Sequence, residues 1–181
     1  MENIVSNEYL EKLTIEEAKF IFEHAEKQLQ DSLDTNQLII TRTSTLITVT
    51  LALLLGLIGY AINKYQTIGH FDNLITSALF GSLYLFILSI WLTNNIRPKQ
   101  YSITGSEPKL FFVENFFKEP NPENRLLYYY VNEIESYQIR IETNKITNAT
   151  RWTTFNNCLW MLICTPIVLG FVFLILNLFF H

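Results

Sequence analysis

The 181-residue chain has the length of a single domain, is 49% hydrophobic with a mean hydropathy of +0.19, and carries a formal net charge of −4. That balance excludes a broad basic surface for duplex DNA, although not a local basic site. The charges are also sorted along the chain: none lies between Arg42 and Lys64, only Asp72 lies between Lys64 and Arg97, and none follows Arg151.

The N-terminal stretch MENIVSNEYLEKL is acidic rather than apolar, so no signal peptide is expected. Thr14-Ile15-Glu16-Glu17 reads as a capping box, in which the threonine and the glutamate three residues on satisfy each other's backbone N–H groups. From there Ala18, Phe22, Ala25, Leu29, Leu33, Asn36 and Ile40 recur at three and four residues and predict one helical face. No Pro or Gly interrupts the chain between Thr14 and Gly56. A single helix of roughly 45 residues, about 70 Å long, is therefore expected, running from a helical cytoplasmic region (1–37) into a first span.

Three apolar stretches have the roughly 20-residue length that a bilayer requires. They are 38–62, 74–93 and 154–180. A chain in lipid must satisfy its own backbone, so each is expected to be a helix and the fold class to be an all-α membrane protein with three transmembrane helices. Residues 94–153 form a connector and a second long helix. Asn121-Pro122 marks that helix start, and Leu127, Tyr130, Ile134, Tyr137, Ile141, Asn144 and Asn148 share its face. The helix should enter the last span without a break as far as Pro166, which can kink it. Pro98, Gly105, Pro108 and Pro120 make the connector a loop with a short aromatic helix over 110–117.

Twelve of the thirteen Lys and Arg fall in 1–42 and 97–151, which places both segments in the cytoplasm and the C-terminus outside. Arg42 and Arg151 stand where each long helix enters the membrane and are expected to anchor it by reaching lipid phosphates. Hydroxyl residues follow both, Thr43-Ser44-Thr45 and Thr153-Thr154, and can bond back to helix carbonyls.

No enzyme site is legible. His24, His70 and His181 cannot share a metal, no zinc spacing exists, and no nucleophile elbow or phosphate-binding loop occurs, so neither a metal nor a cofactor is expected. Cys158 and Cys164, six apart, read as packed or lipid-facing side chains. The spans contain no Asp, Glu or Lys, which disfavours proton-coupled transport and intramembrane hydrolysis. The first span instead carries a stripe of small and polar residues: Thr41, Thr45, Thr48, Ala52, Gly56, Gly59 and Asn63. Such a stripe serves close helix packing or lines a narrow pore, and in an oligomer the two merge. Span two offers Ala78, Ser82, Ser89 and Thr93; span three offers Asn156, Asn157, Thr165, Gly170 and Asn177.

The run Gln28-Leu29-Gln30-Asp31-Ser32-Leu33-Asp34-Thr35-Asn36 entering a span, with the returning helix from Tyr137 to Arg151, resembles the SLATT-type membrane effectors of bacterial antiphage defence, and within them channels of the Hailong type. SLATT proteins usually have two spans, and the third hydrophobic segment departs from that pattern. The resemblance implies a homo-oligomer, with a tetramer favoured, that permeabilises the bacterial inner membrane. It also implies control by a nucleotide or short oligonucleotide and a nucleotidyltransferase as functional partner. Membrane lipids are the other expected partner. Basic residues that could hold such a ligand are Arg125, Arg140 and Lys145, with Lys99, Lys109 and Lys118; Tyr128, Tyr129, Tyr130 and Tyr137 could stack bases. Interleaved glutamates also fit plain solvated helix faces. The alternative function is a non-conducting oligomeric scaffold that docks a cytoplasmic partner.

Overall fold

The computed structural model describes residues 12–98, 101–103 and 121–179. Three helices account for nearly all of them: α1 (Ile15–Ile68), α2 (Asn73–Ile96) and α3 (Pro122–Phe179). No strand occurs among the described residues, and all three helices are long and apolar enough to cross a membrane. The chain is thus all-α with three candidate spans. The aromatic helix expected at 110–117 and the basic residues Lys99, Lys109 and Lys118 lie outside the described residues.

Each helix starts on a side-chain cap. At α1 the Thr14 N–H donates to Glu17 Oε2 at 2.9 Å and the Glu17 N–H donates to Thr14 Oγ1 at 3.2 Å, the reciprocal box that the sequence spells. The bonds that the carboxylate accepts from the Thr14 N–H and hydroxyl hold Glu17 below its usual range. At α3 the Asn121 side-chain oxygen accepts from the Glu123 N–H at 3.0 Å. The α2 cap is Asp72, whose carboxylate accepts from the Ile75 N–H at 2.7 Å. Helix α1 runs past the expected end of the first span at 62 and stops at Ile68. Nothing before Gly69 breaks it; Gly69 has φ +76° and its N–H closes on the Tyr65 carbonyl at 2.8 Å. Helix α2 reaches Ile96, where Arg97 turns extended ahead of Pro98. Helix α3 continues through Pro166, which sits on an exposed face.

The chain divides into two compact units. One comprises Met1–Gln37 and Lys99–Asn148, called the polar unit below; the other comprises Leu38–Pro98 and Ala149–His181, the apolar unit. In the polar unit Leu29, Tyr137 and Ile141 form a small core, flanked by Phe22 and Ala25. The Phe22 ring lies 5.4 Å from both Tyr130 and Tyr137. The face predicted on α1 from Ala18 to Asn36 is the buried or half-buried one, and Ser32 joins it.

In the apolar unit Leu46 and Leu54 of α1, Leu85, Leu88 and Leu92 of α2, and Phe155 and Cys158 of α3 form one core. Gly81 lets α2 approach its neighbours: a Cβ there would collide with Leu169 and come within 3.0 Å of Leu57. Far from that core, the Lys64 ammonium and the Asp72 carboxylate meet at 2.6 Å and join the end of α1 to the start of α2. Asp72 is held below the usual carboxylate range by the Lys64 hydrogen bond and then by the Ile75 amide, and Lys64 is raised by the same carboxylate.

Two outcomes are expected. Gly81→Ala is near neutral, because the leucine tip can turn away and alanine favours the helix. Gly81→Leu overpacks the contact and destabilises by about 1–3 kcal/mol, read as a lower melting temperature in detergent. The Lys64–Asp72 pair adds stability above the ordinary aspartate pKa, which is lost as pH falls through the depressed Asp72 value and again as pH rises through the raised Lys64 value. Asp72→Asn should therefore flatten both the acid and the alkaline edge of a melting-temperature profile, and an unchanged profile would show the pair contributes nothing.

Candidate functional site: a polar cleft and an exposed small-residue stripe

In the polar unit a shallow cleft of about 340 Å³ is lined by Gln28, Asp31, Ser32 and Thr35 of α1 and by Lys145 and Asn148 of α3. Its floor is uncharged and hydrogen-bonded. Ser32 is 7% exposed, and its hydroxyl donates to the Leu29 carbonyl at 2.6 Å. Asn148, also 7% exposed, donates to the Ser32 carbonyl at 2.7 Å and accepts from the Tyr101 hydroxyl at 2.8 Å. Next to it Asn144 donates to Ser32 Oγ at 3.1 Å and to the Ser102 carbonyl at 3.0 Å, while its oxygen accepts from the Ser102 N–H at 3.2 Å. The rim carries both signs, Asp31 and Lys145, each exposed. Such a slot offers a ligand donors, acceptors and one cation.

The three basic candidates are not brought together. Lys145 is on the cleft wall. Arg140, about 8 Å along α3 and turned away by roughly 140°, donates to the Ile103 carbonyl at 3.2 Å and lies over the Tyr137 ring at 5.5 Å. Arg125 is a further 22 Å or so along the helix, with its Nε buried and without a hydrogen-bond partner among the described residues. Tyr130 and Tyr137 pack on Phe22, whereas Tyr128 is exposed.

In the apolar unit the stripe on α1 is exposed throughout: Thr41, Thr45, Thr48, Ala52, Gly56, Gly59 and Asn63. A Cβ on Gly56 or Gly59 would meet nothing within 4 Å. The buried residues of this part of α1 are Thr43, Leu46, Thr50, Leu54 and Ala61. Thr45, Thr48, Ala52 and Gly56 each follow one of them by two positions, and two positions turn a helix by about 200°. The stripe is therefore diametrically opposite the face that packs within the chain. The Thr45 and Thr48 hydroxyls donate back to the Thr41 and Ser44 carbonyls, each at 3.1 Å, which leaves their lone pairs on the open face.

The two arginines at the helix entries differ. Arg42 is exposed and lies over the Trp152 ring at 5.4 Å, compatible with a reach toward phosphates. Arg151 is 1% exposed and turned inward, donating to the Arg97 carbonyl at 2.7 Å. Asn95, 6% exposed, donates to the Arg151 carbonyl at 3.2 Å and to Thr43 Oγ1 at 3.4 Å. As expected, the hydroxyls beside these arginines bond back to carbonyls four residues earlier.

No family model, curated protein or solved structure matches this chain. Among the described residues no group of His, Cys, Asp or Glu could hold a metal ion.

Sequence reasoning missed Ser32, Thr43, Asn95 and Tyr101 as members of polar networks. Only Asn95 left a trace, as an amide just before the charged end of the second span. Asn148→Ala removes two hydrogen bonds, one to the Ser32 carbonyl and one from the Tyr101 hydroxyl, and is expected to destabilise the protein by about 1–3 kcal/mol, whereas Lys145→Ala should lie within roughly 0.5 kcal/mol of wild type. Thermal unfolding of both variants in detergent checks the contrast.

Proposed function

We propose that the chain is a homo-oligomeric, ion-conducting effector of bacterial antiphage defence, seated in the inner membrane with its polar unit in the cytoplasm and its C-terminus outside. The observation that carries this reading is the orientation of the α1 stripe. Seven small or polar residues occupy the side of α1 that packing among the described residues does not use. Lipid gains little from such a face, whereas a second copy can pack closely on it. An edge of the same stripe then borders a central path in a symmetric assembly, with a tetramer favoured.

Control enters at the polar unit. A nucleotide or short oligonucleotide, supplied by a partner nucleotidyltransferase, occupies the cleft beside Lys145, with Arg140 and Arg125 further along α3. The SLATT-like pattern of the two long helices supports the choice of ligand class and of biological setting. The exposed position of Arg42 supports its role as the lipid anchor. The inward position of Arg151 favours a role in holding helices over one in lipid.

A non-conducting scaffold would use the same stripe for packing alone, and proteoliposomes separate the two. The purified protein should pass monovalent ions in one ligand state and not in the other. Thr48→Trp and Ala52→Trp should each cut flux by an order of magnitude or more while the oligomer, counted by native mass spectrometry, persists. Unchanged flux in both variants moves the path away from α1. An absence of flux in every ligand state leaves the scaffold, and a monomer in lipid nanodiscs removes both.

A further inference from the structure

Between α2 and α3 the apolar unit leaves a hollow of about 170 Å³, lined by Phe80, Gly81 and Tyr84 of α2 and by Val168, Leu169 and Val172 of α3. Gly81 is buried at its floor, where a Cβ would collide with Leu169, while Phe80 and Val168 are exposed walls. The two rows lie at one height, each roughly 10–17 Å along its helix from Asn73 or from Phe179. The Asn73–Asn177 hydrogen bond keeps those two ends side by side. In a bilayer that height falls within the hydrocarbon, clear of the headgroups. The one polar side chain in the lining is Tyr84, and its hydroxyl already donates to the Met161 carbonyl at 3.0 Å.

We propose that this hollow is a binding groove for one acyl chain of a membrane lipid. A void beside packed side chains forfeits their dispersion contacts, so a site open to the membrane interior is filled by what that interior supplies. An apolar cavity of about 150 Å³ stays dry and takes up benzene, so this hollow has room for a hydrocarbon segment of about six carbons and no use for water. The flanks decide between a lipid and a second copy of the chain. Phe80, Leu83 and Ile87 on α2, and Ile167, Phe171 and Leu174 on α3, are bulky and each more than half exposed. Helices in membranes approach one another through small residues, which this chain displays on α1 and not on these two faces. With its hydroxyl engaged, Tyr84 asks nothing polar of the occupant, and the height of the groove keeps the headgroup out of reach. The groove therefore selects for chain and not for headgroup charge. A seated chain touches α2 and α3 together and adds to the contact that Gly81 makes with Leu169. The groove rests on α2 and α3 lying in a bilayer and stands whether or not the assembled protein conducts.

The test uses the full chain in phosphatidylcholine nanodiscs doped with a phosphatidylcholine that carries a photoactivatable diazirine in mid-chain. Peptide mapping then compares labelling of Phe80 and Val168 with that of Phe86 and Ile163, which are equally open to lipid but outside the groove. Groove residues should be labelled roughly three- to tenfold more, because an occupied pocket encloses most of its ligand's surface whereas an open face touches a passing chain on one side. Val172→Phe and Val168→Phe each place a ring in the hollow, and either should bring Phe80 down to the level of Phe86 while Phe86 and Ile163 stay labelled. The same diazirine chain on phosphatidylglycerol should give the same pattern. Equal labelling of groove and open faces in the parent overturns the proposal, as does labelling of Phe80 that neither filled variant lowers. An unlabelled groove together with a disulfide between chains through Val168→Cys assigns the site to a second copy and overturns it too. Loss of label at Phe86 and Ile163 as well would instead remove the membrane seating of both helices, and the groove with it.

Discussion

A guanidinium is buried in the apolar unit: Arg151 is 1% exposed and donates to the Arg97 carbonyl at 2.7 Å. An ion taken out of water at an effective penalty of several kcal/mol is tolerated only where its donors are met. The end of α2 supplies the match, because the last carbonyls of a helix lack internal partners and carry partial negative charge. Arg151 reaches the Arg97 carbonyl there, and Asn95 closes the loop by donating to the Arg151 carbonyl and to Thr43. One polar cluster thereby fixes α1, α2 and α3 against one another in this unit.

Such pins matter more in lipid than in water. Hydrocarbon is as apolar as a leucine side chain, so apolar contact alone does not choose one helix register over another. The apolar unit is pinned at its far end as well, by the Asn73 amide donating to Asn177 at 2.9 Å and by the Lys64–Asp72 pair. Between the pins, the Tyr84 hydroxyl donates to the Met161 carbonyl at 3.0 Å and Gly81 admits Leu169. Among the described residues the small residues on the opposite side of α1 lie open, and the proposed self-association would give that face a partner.

The parts of the fold legible in the sequence were those written in periodicity and in local capping. Thr14 with Glu17, Asn121 before Pro122, and the Ala18–Phe22–Ala25–Leu29 face are all short-range signals, and each appears in the structure where the sequence places it. Helix ends were less legible: the first helix outruns its apolar stretch to Ile68 because polar residues such as Asn63 and Thr67 are good enough helix residues when nothing breaks the chain. The pairings within the polar networks were not legible. Asn144 and Asn148 stand on a visible face, but their partners Ser32 and Tyr101 lie 112 and 47 residues away respectively, and no local pattern encodes such a pairing. The inward turn of Arg151 was hidden for the same reason, since from sequence it matches Arg42, yet only one of them faces a helix end.

The two units solve register differently, and the difference bears on what each can do. In the apolar unit the pins include the buried Arg151 guanidinium, and breaking its contact leaves a charge held out of water. In the polar unit the pins are neutral amides and hydroxyls, and two of them, Ser32 and Asn148, line the cleft, where water can replace part of a bond that opens. The first arrangement is suited to staying put and the second to switching, because the free energy between made and unmade contacts is small where solvent competes. A ligand needs only a differential affinity of that size to shift such a contact. Any signal received by this chain is therefore more cheaply read by the Ser32–Asn144–Asn148 network than by the helices beside the lipid.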